Sequence, residues 1–187
     1  EILIGDPRSL ATDVGPLIDA RAVEGLKPHV ERMQRQGRLL QRIHPGPQLA
    51  AGSFFPLQAF ELESLELLDK EVFGPILHVI RYRGDRLDAV VDAVNATGYG
   101  LTLGVHSRIE DTWQRVKARA RVGNLYINRN MIGAVVGVQP FGGEGLSGTG
   151  PKAGGPLYLY RFATERTCSA NTAAMGGNAG LLSLPDT

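Results

Sequence analysis

Hydrophobic residues change their spacing several times along this chain, and each change marks an element. From Pro75 to Tyr82 the run Pro-Ile-Leu-His-Val-Ile-Arg-Tyr is apolar and β-rich, as in a strand buried on both faces. Leu87, Val90, Val91 and Val94 then recur at helical intervals with acids between them, and Gly98 closes the segment. Leu101 to His106 reads as a second strand. Ser107 and Glu110 have capping-box spacing beside Ile109, Trp113, Val116 and Ala120, which predict a second helix. Gly123 to Asn128 is the third strand. Strands alternating with helices of this length predict βαβαβ with right-handed crossovers, hence an α/β fold whose mostly parallel sheet is flanked by helices. Such sheets bind ligands beyond the carboxyl ends of their strands, so segments 83–85, 106–108 and 129 onward are where chemistry is expected.

The flanks are less regular. Val23, Leu26, Val30 and Met33 predict a helix from about Asp19, with Pro28 expected to kink it or delay its start. Leu39 to Ile43 predicts a strand, His44 to Gly52 a Pro/Gly loop, and Phe54 to Leu62 an extended stretch. After Pro156, Leu157 to Thr167 predicts a final strand. From Ser169 the chain reads as an irregular, exposed tail. The opening Glu-Ile-Leu-Ile-Gly-Asp-Pro-Arg has no initiator Met and no targeting character, so it reads as a cut inside a longer protein.

Composition narrows the function classes. Lys plus Arg number 20 against 19 Asp plus Glu, a net charge of +1 with no basic block, which argues against nucleic acid as a partner. No apolar run approaches the ~20 residues that span a bilayer. Cys168 is the only cysteine, so no internal disulfide or cysteine-rich metal site is available, and a reducing, cytoplasmic setting is expected. His29, His44, His78 and His106 lack metal-ligand spacing. Glycine is the unusual figure: 24 of 187 residues, nine of them between Gly133 and Gly155, where the density suits a loop that approaches something closely. Gly143, Gly145 and Gly148 spell G-x-G-x-x-G, but they follow Pro140-Phe-Gly instead of a strand, and Pro151 interrupts the expected helix. We read that match as accidental. A phosphate loop ending at Lys152 is rejected because Ala153 stands where Ser or Thr would bind magnesium. Cys168 has no local feature that activates a thiol and reads as structural or merely exposed.

Glu71-Val-Phe-Gly-Pro75 admits two readings. Extended backbone puts Glu71 and Phe73 on one side, where a carboxylate can accept the hydroxyls of a ribose and a ring can pack on a flat heterocycle, with Gly74 allowing close approach. Alternatively, the segment is a turn whose Glu faces water and whose Phe fills the core.

This pentapeptide, Asn95-Ala-Thr-Gly-Tyr-Gly-Leu-Thr-Leu-Gly104, Gly123-Asn-Leu-Tyr-Ile-Asn128 and Pro140-Phe-Gly-Gly-Glu-Gly-Leu-Ser-Gly-Thr-Gly150 together resemble, in order and spacing, the aldehyde dehydrogenase superfamily. Asn128 to Gly143, Gly150-Pro-Lys-Ala-Gly-Gly-Pro156 and Thr164-Glu-Arg-Thr are similar to the L-glutamate γ-semialdehyde dehydrogenase domain of the bifunctional proline utilisation A family, over nearly the whole chain. The resemblance implies a cysteine thiolate that attacks the aldehyde, hydride transfer to NAD, and hydrolysis of the thioester by a glutamate-activated water. It places that Cys and Glu upstream of the segment matching residue 1, so this chain is expected to carry no catalytic nucleophile or base and to be inactive alone. Residues 1–168 would be the later part of the catalytic domain, with an oligomerisation strand near 157–168, and 169–187 the tail.

By the same resemblance Glu71 would bind the nicotinamide ribose, with Phe73 and Leu101 beside the nicotinamide. Gly133 and Ala134 would form an anchor whose main-chain N–H groups receive the substrate's α-carboxylate, and Phe141 would flank its aliphatic chain. Ala134 stands where related enzymes commonly have Ser, so the backbone must do more there; Arg129 is the second choice for the carboxylate. The resemblance further implies a homo-oligomer, a parent that can lie peripheral to the inner membrane, and a preceding proline dehydrogenase domain holding FAD. Two other classes remain in view: a noncatalytic module pairing through a sheet edge and the 157–168 strand, and a flavodoxin-like mononucleotide binder, which lacks a hydroxyl-rich phosphate loop after the first strand.

Overall fold

The computed structural model describes residues 2–171, 174 and 176. Helix α1 (Ala20–Gln36) starts where the apolar period starts: Asp19 is extended and its carboxylate accepts the Ala22 N–H at 2.8 Å. Pro28 lies inside the helix, which starts at Ala20 without the delay that is one of the two expected effects. Burial of Leu26, His29, Val30 and Met33 on one face outweighs the backbone bond that proline removes.

That face covers a three-stranded sheet in the order β1 (Arg38–Ile43), β2 (Leu57–Leu62), β3 (Ile76–Ile80), with β1 and β2 antiparallel and β2 and β3 parallel. The period of two sends Gln58, Phe60 and Leu62 to the buried side of β2. Phe60 and Met33 are fully buried and join Leu26, Val30, Phe55 and Leu62 in the larger core. On β2, Glu61 is clasped between Arg38 and Arg81, whose hydrogen bonds hold its carboxyl below the ordinary range.

A second region follows. Helix α2 (Leu87–Ala96), β4 (Tyr99–Gly100), β5 (Thr102–Val105), helix α3 (Glu110–Arg119), β6 (Asn124–Ile127) and β7 (Glu144–Gly145) come in chain order. Strands β5 and β6 are parallel, in register from Thr102 opposite Asn124 to Val105 opposite Ile127. The two helices run side by side, tied by Asp88–Arg115 at 2.8 Å and Asp92–Arg119 at 2.5 Å. Leu87, Val91 and Val116 form the smaller core, against Leu103, Val105 and Leu125.

Three sequence expectations need correction. The fold is α/β with parallel pairs, but β3 hydrogen-bonds to β2 and not to β5, so the three strands of the expected βαβαβ unit do not form one continuous sheet. Periodicity specifies crossovers and direction but leaves neighbour order open. The capping box does not form: Ile109 is the residue before α3, and the Ser107 hydroxyl accepts the Ile109 N–H at 3.1 Å, two residues too early to cap the helix. The strand expected at 157–168 is a 3₁₀ turn, Tyr158–Phe162, followed by irregular chain to 171. With no strand edge alongside, the backbone bonds locally, Tyr160 N–H to Leu157 C=O at 3.2 Å, and the Tyr158 and Phe162 rings meet edge to face at 5.4 Å. Cys168 lies exposed in the irregular stretch. Of the tail expected at 169–187, residues 172, 173, 175 and 177–187 lie outside the described residues. Among the described residues no helix is long and apolar enough to cross a membrane.

Candidate active site at the carboxyl ends of the parallel strands

Chemistry is expected where β5 and β6 end, and there Asn128 ties the two ends together. Its Oδ1 accepts the Ser107 N–H at 2.9 Å and its Nδ2 donates to the Ser107 carbonyl at 3.0 Å. Its backbone is left-handed, φ 54, a conformation Asn tolerates better than most residues. The chain therefore leaves β6 at a fixed angle into the 129–139 loop.

Within that loop, neither Gly133 nor Ala134 donates its N–H to another described group, whereas the next amide, Val135, donates to Gln139 Oε1 at 3.1 Å. Two adjacent free amides at a strand's carboxyl end suit an anion. A Cβ at Gly133 would meet nothing within 4 Å, so the space beside it is open. Arg129 is engaged elsewhere: its guanidinium lies 4.6 Å from the Tyr126 ring centroid and donates to Gln139 Oε1 at 3.3 Å. Phe141 is held by paired backbone bonds with Ala153, both 3.0 Å, and by buried Asn124, which donates to the Pro140 carbonyl and accepts from Gly142.

Glu71 and Leu101 line a cavity of about 970 Å³ that also includes Leu68, Lys70, Thr97 and Ser147. The Glu71 carboxylate is exposed and pairs with no described group. Phe73 is 86% exposed, which removes the reading in which it fills the core. Gly74 is required by packing: a Cβ there would sit 2.4 Å from Leu26 Cδ1 on α1, so the close neighbour is a helix of the same chain. A second cavity, about 500 Å³, runs along Gly123 to Ile127 under Arg129, Gln139 and Lys152. Neither cavity joins Glu71 to Gly133, Ala134 or Phe141, so these residues by themselves do not close one pocket around both groups.

The glycine cluster packs on itself. A Cβ at Gly143 would meet the Ser147 carbonyl at 2.6 Å, one at Gly148 the Gly143 carbonyl at 2.6 Å, and one at Gly123 the Gly142 carbonyl at 1.8 Å. Gly145, with φ +57, pairs with Tyr99 where β7 meets β4. Here G-x-G-x-x-G builds a close-packed turn, consistent with rejecting it as a dinucleotide fingerprint.

Periodicity did not single out Asn128, Gln139 or the pair His29–His78. For Asn128 the available signal was an Asn directly after a strand; Gln139 and the histidines carry none. His29 Nε2 and His78 Nε2 are 2.9 Å apart across the α1–β3 interface, with Arg32 Nη2 3.5 Å from His29 Nδ1 and bonded to Asp69 at 2.9 Å. Arginine only donates, so His29 accepts at Nδ1, carries its proton on Nε2 and donates to His78. Burial, foremost, lowers the basicity of both imidazoles.

The described residues thus place open amides after a parallel strand and an unpaired carboxylate beside a separate cavity. The chain belongs to the aldehyde dehydrogenase family, whose model matches residues 1–168. It is 56% identical over 171 residues to the bifunctional protein PutA of Klebsiella aerogenes, covering 89% of this chain and 13% of that protein. Against the 1-pyrroline-5-carboxylate dehydrogenase of Geobacillus kaustophilus it is 36% identical over 172 residues, 90% of this chain and 32% of that protein. A crystal structure of a Bradyrhizobium japonicum proline utilization A variant superposes with a TM-score of 0.84 at 57% identity, over 93% of this chain and 18% of that one. The chain thus spans under a fifth of the PutA proteins and about a third of the 1-pyrroline-5-carboxylate dehydrogenase.

Proposed function

We propose that this chain is part of an NAD-dependent L-glutamate γ-semialdehyde dehydrogenase, which oxidises the semialdehyde to glutamate in proline breakdown. The observation that carries the reading is the pair of free amides at Gly133 and Ala134 directly after β6. They would grip the substrate's α-carboxylate, while Phe141, fixed by its bonds to Ala153, would flank the aliphatic chain. Glu71 and the uncovered ring of Phe73 fit a ribose and its attached heterocycle, with Leu101 lining the cavity that Glu71 shares. NAD, held there, supplies the acceptor for the aldehyde hydride; no residue of this chain is assigned to FAD. The nucleophile and general base belong, on this reading, to other parts of the polypeptide, and a cytoplasmic setting is part of the proposal. Exposed Leu157, Leu159, Tyr160 and Phe162 support a contact with a second subunit through this turn, not through a strand.

The test follows NADH formation by the full-length protein. Glu71→Ala is expected to raise the KM for NAD and Gly133→Val the KM for the semialdehyde, each by about tenfold, equivalent to ~1.4 kcal/mol of lost binding. Because Gly133 has open space around it, Gly133→Val should leave stability unchanged. Wild-type constants in both variants would end the reading.

A further inference from the structure

We propose that Gln139 is a positioning residue: it shapes the 129–139 loop so that the Gly133 and Ala134 amides face outward together. The inference rests on the reading of those amides as the carboxylate anchor. A single oxygen, Oε1 of Gln139, accepts from the Val135 N–H at 3.1 Å and from Arg129 Nη1 at 3.3 Å. It therefore closes the loop from its exit back to both its entry and its middle. Backbone bonds from Val138 and Gln139 to the Val135 carbonyl, at 3.1 and 2.9 Å, tighten the turn around Gly137, whose φ is +77.

The other end of this linkage is rigid. Arg129 is spread over the ring of Tyr126, a residue 5% exposed on β6, and its Nε donates to the Asn130 carbonyl at 3.2 Å. The loop is thus referenced to the sheet through Gln139, Arg129 and Tyr126 in turn. Two consequences follow. With its bond to Gln139, Val135 is the first residue of the 129–139 loop whose N–H is engaged, and the Gly133 and Ala134 N–H groups directly before it stay free. By occupying the guanidinium, it keeps Arg129 away from direct pairing with the substrate. A neutral amide suits this role, since its carbonyl oxygen has two lone pairs and brings no negative charge to an anion site.

The test uses the full-length enzyme with L-glutamate γ-semialdehyde and with pentanal, an aldehyde of the same length without a carboxylate. Gln139→Met keeps the side chain's length and removes the acceptor. It is expected to raise the KM for the semialdehyde about tenfold while kcat, and kcat/KM for pentanal, stay within about twofold. Equal losses on both substrates would indicate a merely structural role and overturn the proposal. Gly133→Val, measured beside it, separates the two ideas: if it selectively weakens the semialdehyde and Gln139→Met does not, the Gln139 role fails and the anchor stands, whereas no selective effect from either removes the anchor itself. Should Gln139→Met not fold, Gln139→Asn keeps a neutral amide but shortens its reach by one methylene; the same selective loss on the semialdehyde with pentanal spared supports the role, and equal losses on both substrates or wild-type constants overturn it.

Discussion

The α1 sheet and the β5–β6 pair are both helices packed on strands, yet they are stabilised to very different degrees. In the first, one helix covers three strands, and Phe60 and Met33 are completely removed from water. In the second, two helices cover two strands, and the core cluster holds only Leu87, Val91 and Val116, with Asn124 and Tyr126 of β6 buried apart from it. A two-stranded unit is marginal without further support, and this one obtains it from polar ties: the Asn128–Ser107 clamp, the Asn124 bonds beneath Phe141 and the ion pairs between α2 and α3. The Gly133 and Ala134 amides, proposed as the anchor, follow the second region's β6. The thinly cored part of the molecule carries the exposed backbone donors, and the well-packed part carries the scaffold, in keeping with binding loops being drawn from the less stable end of a structure.

Core deletions should break this comparison most strongly. Leu62→Ala in the first region is expected to cost about 4 kcal/mol, and the same change at Leu87 in the second about 2–3 kcal/mol, read from urea denaturation midpoints. Equal costs would mean the two cores are equivalent. A smaller effect is expected at the clamp: Asn128→Ala should lose about 1–2 kcal/mol, because a non-glycine, non-Asn residue pays for the positive φ and the two bonds to Ser107 disappear. Asn128→Gly, which relieves the backbone cost but not the lost bonds, should recover part of that. The same stability for both variants would assign the whole effect to hydrogen bonding.

The smallest effect is a pH dependence confined to the first region. His29 and His78 both titrate below their ordinary 6.5 in the folded protein, burial being the first cause, with Arg32 and Lys70 opposing a positive charge on His29 and Asp69 favouring it. As pH falls through about 6.5 the unfolded chain takes up protons that the folded pair resists, so this contribution is present above that pH and lost below it. Once the intrinsic pH dependence of exchange is divided out, amide protection in α1 should therefore fall between about pH 7.5 and 5.5, with α2 and α3 unaffected by this pair, and His78→Gln should flatten the response. An α1 whose exchange follows only the intrinsic pH trend would discard the pairing as a determinant.

Much of this could be seen in the order of residues. The positions of α2, α3, β3, β5 and β6 follow from periodicity, and Asp19 marks the start of α1, because burial on one face imposes a period that a single chain displays. Candidate groups were legible where a residue type carries its own chemistry, as with the carboxylate of Glu71 and the ring of Phe73, whereas Gly133, Ala134 and Phe141 entered only through the resemblance to a family. What stayed hidden depends on partners far apart in sequence. Nothing local says that β3 lies beside β2, that His29 meets His78 across 49 residues, or that Gln139 reaches back to Arg129. Nor did the β-rich run at 157–167 reveal that it would turn on itself, since a strand needs an edge to pair with. The sequence by itself determined the elements, their direction and the candidate chemical groups, through short-range geometry and hydrophobic spacing. Only the tertiary structure decided which edges pair, which glycines are needed for contact and which amides remain free, because those outcomes are set by competition among groups that folding alone brings together.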